Sequence, residues 1–192
     1  MDAVGMIHRL KNSGVEFAEG MTARELDLAE ACFQFRFPAE IRAFLACATP
    51  VGASFFNFRD RTEANLTRFH TFQRSVKESF LYDLTNNRED MAKLFSAQSW
   101  GHLDNGDFDA AVLAYLEESV KLIPFYAHRC FFNGMDGMPI VSFWQPVDSI
   151  LYGRDFENYL ACEFLGGECD LAHVLERMKQ TGIWYDVIAF SM

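Results

Sequence analysis

His128-Arg129 is the pair of neighbours in this chain best suited to chemistry. An imidazole can move a proton near neutral pH, and a guanidinium is a permanent cation whose planar fork of donors suits a carboxylate or another anion. Asp148, with Ser142 and Gln145 nearby, adds a carboxylate that could complete an enzyme or small-ligand pocket. The two basic residues lie in an apolar run that reads as a strand, however, where neighbours point to opposite faces and meet on one ligand only if a bulge intervenes. The expectation is therefore structural: His128 and Arg129 hydrogen-bond the sheet to its helices, and Asp148 caps the turn before Ser149.

Other constellations fall away on spacing. His8, His70, His102, His128 and His173 show no metal-ligand interval with one another or with the cysteines, so no metal is expected. A calcium loop begun at Asp104 would place Gly106 at its third ligand position and Tyr115 where a bidentate Glu belongs. Nucleophile-elbow, P-loop and dinucleotide motifs do not occur, and no cofactor is expected. Cys32, Cys47, Cys130, Cys162 and Cys169 form no Cys-x-x-Cys pair and read as small buried hydrophobes in a reducing compartment.

The elements that must position these residues are legible from periodicity. Leu122 to Phe132, Met138 to Trp144 and Ser149 to Tyr152 read as three antiparallel strands, separated by Asn133-Gly134-Met135-Asp136-Gly137 and by Gln145-Pro146-Val147-Asp148. Asp155 is placed to cap a helix whose Phe156, Tyr159, Leu160 and Phe164 share a face. Upstream, Thr22-Ala23-Arg24-Glu25 is a capping box, and Ile41, Phe44, Leu45 and Ala48 mark a helix that starts at Pro38. Phe55, Phe56 and Phe58 fit either an edge strand, which would show alternate rings to a partner, or a loop closing over the core. Thr62 to Phe80 reads as a helix, Leu81 to Leu84 as a strand, and Glu89 to Phe95 as another helix. The acidic loop from His102 to Asp107 caps a further one, on which Glu117 and Lys121 form an i,i+4 pair. Asp170 is placed to cap a helix with Leu171, Val174, Leu175 and Met178 inward, and the apolar tail from Ile183 to Phe190 should dock.

Helices lead, antiparallel strands follow and helices close, which is an α+β layout in one domain over residues 1–192. A chain of 192 residues with 20 Phe can bury a substantial aromatic core. Its 17 basic and 27 acidic residues give a formal net charge of -10, which disfavours nucleic acid and anionic lipid as partners. The absence of a long apolar run and of a basic-then-apolar start leads to the expectation of a cytoplasmic protein without a membrane partner.

An ordered series of these residues resembles the SUKH superfamily, which includes a fungal cell-wall assembly regulator and many bacterial proteins. Phe37-Pro38, Phe44-Leu45, Pro50-Val51-Gly52 and Phe58-Arg59 resemble its N-terminal pattern, with Phe58 where a tryptophan is commoner, and Trp100-Gly101 resembles its middle motif. Leu122-Ile123-Pro124, Tyr126, His128-Arg129, Pro139, Ser142, Asp148, Ile150, Tyr152-Gly153, Asp155, Tyr159-Leu160 and Glu163-Phe164 resemble the C-terminal signature; Cys130, Phe132 and Met138 depart from it. The resemblance implies an α+β domain with a mainly antiparallel sheet packed by helices on one side, and no catalytic residues to carry over. It also implies a protein-binding role, immunity against a polymorphic, nuclease-type toxin whose basic domain would be the partner, or else a regulatory scaffold. A sensor or enzyme built on His128, Arg129 and Asp148 is the reading from chemistry alone.

Overall fold

A computed structural model describes residues 1–98, 100 and 103–192; Gly101, half of the Trp100-Gly101 motif, and His102 lie outside the described residues. Helix α1 (Ala3–Asn12) and strand β1 (Phe17–Glu19) precede α2 (Ala23–Phe33) and α3 (Ala39–Cys47), and β2 (Ala48–Pro50) returns to pair antiparallel with β1. Thr22 and Glu25 form the expected capping box on α2. Pro38 at the start of α3 offers no side-chain cap, and Asp136 supplies one from across the molecule by accepting from the Ala39 N–H at 2.6 Å.

The segment after Thr62 is one long helix, α4 (Glu63–Asn86), not a helix followed by a strand. Val76, Phe80 and Leu84 continue the inward stripe, so the 3.6-residue period simply runs through Leu81-Tyr82-Asp83-Leu84. Next come α5 (Arg88–Leu94) and α6 (Asn105–Glu118), the latter capped by Asp104. Because α6 ends at Glu118, Lys121 is not one turn beyond Glu117, which pairs with Lys77 at 2.6 Å instead.

Four strands follow, not three: β3 (Leu122–Tyr126), β4 (Arg129–Phe132), β5 (Val141–Gln145) and β6 (Asp148–Leu151), antiparallel and adjacent in chain order. The extra hairpin turns at Ala127-His128, where Tyr126 pairs with Arg129. No glycine or asparagine marks that turn; Ala127 itself adopts φ 49°. Helix α7 (Phe156–Leu165), capped by Asp155, leads to α8 (Val174–Met178) and α9 (Ile183–Ser191), the docked tail. Helix α8 starts later than its stripe suggests, and Asp170 accepts from the Ala172 N–H ahead of it. No helix of the described residues is long and apolar enough to cross a membrane.

The class is α+β with antiparallel sheets, and the four-stranded sheet has helices on both faces, not on one. Ile123, Phe125 and Phe131 point into a core shared with α1, α2, α3 and α7, whereas Leu122, Cys130, Phe132, Val141, Phe143 and Leu151 point into a second, filled mainly by α4, α5, α6, α8 and α9. That is why Leu122 to Phe132 is apolar at nearly every position, the pattern of strands buried on both sides. Since one sheet lines both cores, they belong to a single domain. Phe55, Phe56 and Phe58 form a loop closing over the first core, joined to the sheet by a bridge between Phe55 and Tyr126.

Candidate functional site

Arg129 opens β4 with its side chain only 12% exposed, and its guanidinium is held on every side. Nε donates to Glu163 on α7 at 2.9 Å and Nη1 donates to Ser142 on β5 at 2.8 Å. The group also lies 3.8 Å from the ring centroid of Tyr152, close enough for a cation–π contact. Glu163, 16% exposed, completes a largely buried ion pair that ties the sheet to α7. Gly153 allows that approach: its φ is +107°, and a Cβ there would stand 2.6 Å from the Tyr159 backbone nitrogen. Below the pair, the Tyr159 hydroxyl is buried without a hydrogen-bond partner among the described residues, and burial, then Glu163, raise its pKa.

His128 and Arg129 do converge, contrary to strand alternation. His128 lies in the turn, outside β4, so the two-residue period does not govern it, and its Nε2 meets Arg129 Nη1. Burial, then the Arg129 charge, lower the imidazole pKa, with Glu163 and Asp148 acting in the opposite sense. A neutral ring can accept from the guanidinium. The Trp144 ring stands edge-on to His128 at 6.3 Å.

Asp148 is exposed, and its side chain makes none of the hydrogen bonds found in this turn. The turn is held by Asp83 of α4, which is fully buried and accepts from the Val147 N–H at 3.0 Å and from Asn87 Nδ2 at 2.7 Å. Ser149 donates to the Gln145 carbonyl at 2.7 Å. Asp83 was hidden in the sequence because its segment reads as a strand; on the helical period it faces inward with Phe80 and Leu84.

Of the residues singled out in the sequence, the fold gathers His128, Arg129, Ser142, Tyr152 and Glu163, with Asp148 near the histidine. Phe58 is elsewhere, 1% exposed among Phe33, Phe35, Phe37, Phe56 and Phe131. Arg59 is ion-paired with Glu25 at 3.0 Å and donates from Nη2 to the carbonyls of Glu19 and Gly20. Trp100 packs beside Phe95, Phe108 and Tyr115. Asp155 caps α7, accepting from the Asn158 N–H at 2.8 Å.

Next to this fastened cluster, the same sheet face opens to solvent. Ser142 and Ile150 are cross-strand partners and so share a face; Trp144 lies at the bulge that shifts the β5–β6 register between Phe143 and Gln145, and its ring stands on the His128 side. Trp144 is 69% exposed and Ile150 46%. The chain matches no protein-family model, no curated protein and no solved structure.

Proposed function

We propose that this chain is a protein-binding module that acts by surface contact through the open end of β5 and β6, and that its partner is a basic, nuclease-type toxin domain that it neutralises. The observation that carries the reading is Trp144, a large ring left in solvent together with Ile150 on a sheet whose apolar residues are otherwise largely covered. Exposed apolar patches with polar rims mark contact surfaces, and tryptophan is among the commonest anchors of binding energy. Here His128 and Asp148 supply the rim. Arg129 is committed to Glu163, Ser142 and Tyr152, which suits a frame holding the face in place better than a group that engages a substrate. The resemblance to the SUKH superfamily supports the partner class, and a net charge of -10 would steer a basic partner toward the chain.

Co-expression with the toxin-like product of an adjacent gene tests the proposal. The wild type is expected to co-purify with that product and to protect the cell, and a Trp144→Ala, Ile150→Ala double variant to fold but lose both effects. Full protection by the double variant would remove the proposed face. Failure of several such products to bind, with a pull-down returning an unrelated assembly, would replace the immunity role with a scaffolding one.

A further inference from the structure

Two of the cysteines do not behave as isolated hydrophobes. Only Cys130 is buried; Cys32, Cys47 and Cys169 are exposed and Cys162 is half-buried. Helix α7 stops at Gly166, whose left-handed backbone (φ 68°) turns the chain back on itself. Gly167 then donates its N–H to the Ala161 carbonyl at 3.0 Å, and a Cβ at Gly167 would lie 3.2 Å from that same carbonyl carbon. Asn158 grips the returning chain at two points, donating from Nδ2 to the Glu168 carbonyl at 3.0 Å and accepting at Oδ1 from the Asp170 N–H at 3.2 Å.

Cys169 is the residue between those two bonds. On α7, Cys162 follows Asn158 by four residues and so shares its face, and helical side chains lean toward the helix N-terminus, here toward Asn158 and the returning segment. That places Cys162 and Cys169 along the same stretch of α7, and burial, followed by the neighbouring Cys169 thiol, pushes the Cys162 pKa up to about 12.

We propose that Cys162 and Cys169 form a reversible redox pair which glutathione disulfide closes into an intramolecular disulfide, fastening residues 166–170 to α7 beside Glu163. The exposed Cys169 thiolate attacks one sulfur of glutathione disulfide, forming a mixed disulfide and releasing one glutathione thiolate. Cys162 then gives up its proton and attacks Cys169 Sγ, forming the internal bond and expelling the second glutathione. Two thiols and one disulfide become one disulfide and two thiols, so atoms and electrons balance. The neutral Cys162 thiol slows the second step, and the Asn158 clamp offsets this by holding Cys169, the sulfur under attack, against the Cys162 face of α7. This inference stands independently of the protein-binding reading.

The test treats the full chain with glutathione disulfide until Cys32 and Cys47 carry glutathione, blocks remaining thiols with iodoacetamide and digests with trypsin. Cys162 and Cys169 share the peptide Asp155–Arg177. It is expected to be unalkylated and two hydrogens lighter than the reduced peptide, and to revert with dithiothreitol. Cys162→Ser should trap glutathione on Cys169, and closure should slow hydrogen exchange at residues 166–170. Stable glutathione on wild-type Cys169, alkylation of both sulfurs, or unchanged exchange after closure would overturn the pair.

Discussion

Strands β5 and β6 present two faces that finish differently. Toward α9, Phe143 and Leu151 are each 5% exposed, and the Phe143 ring meets Trp184 edge-on at 5.4 Å. Toward α7, Ser142 is sealed under Arg129, while its cross-strand partner Ile150 and, further along β5, Trp144 stand in solvent. Folding thus has enough helix to cover the first face completely and the second only as far as the Arg129–Glu163 clasp. The difference separates residues that hold the sheet from residues that the sheet displays, and two neighbours in one strand, Phe143 and Trp144, fall on opposite sides of that line.

Breaking the covered face should have the largest effect. Phe143→Ala empties a well-packed site and is expected to cost about 3–5 kcal/mol, the range for buried aromatic truncation, read as a lower midpoint in urea unfolding. Next comes the boundary. Arg129→Ala leaves Glu163 largely buried without its cation, a loss of about 3 kcal/mol; at about 2–4 °C per kcal/mol for a chain of this size, the melting temperature should fall by roughly 6–12 °C. An unchanged melting temperature together with lost binding would instead make Arg129 part of the contact surface.

Asp83→Ala tests whether the displayed end is held from α4. Removing the buried acceptor orphans the Val147 N–H and Asn87 Nδ2 and should cost about 2 kcal/mol, whereas Asp148→Ala should leave the unfolding midpoint nearly unmoved. The smallest effect is that of His128. Its folded pKa lies below the unfolded value near ~6.5, so in the interval between them the unfolded chain binds a proton that the folded chain does not. The His128 contribution is complete above that interval and is lost as pH falls through it. The stability difference between the wild type and His128→Gln should therefore shift in favour of the wild type between about pH 5 and pH 7, measured as urea midpoints at each end. A difference that does not change with pH would remove the neutral imidazole from the account.

Where local chemistry decides the structure, the sequence was a good guide. The Thr22–Glu25 capping box, the Asp104 and Asp155 caps and the Asn133–Gly137 turn are written in residues whose side chains or backbone freedom make them. Where long-range packing decides, it was not. Ala127 occupies a positive φ without any turn residue to announce it, which hid the β3–β4 hairpin and with it the meeting of His128 and Arg129. Asp83 reaches 64 positions along the chain to the Val147 N–H, and Glu163 reaches 34 to Arg129; no periodicity encodes either partnership. The same blindness applies to the second helical layer. An apolar run says that a strand is buried twice over, but not which helices return to bury it.

The most direct test compares Trp144→Ala with the wild type in one binding titration against the proposed partner, a toxin-like product of an adjacent gene that binds the wild type, with thermal unfolding of both proteins measured in parallel. A displayed side chain should cost under about 0.5 kcal/mol of stability on removal, while affinity should fall by at least tenfold, the loss of about 1.4 kcal/mol expected for an interface anchor. Undiminished affinity, or a fall in stability approaching that of Phe143→Ala, would show that Trp144 belongs to the fold and not to the contact.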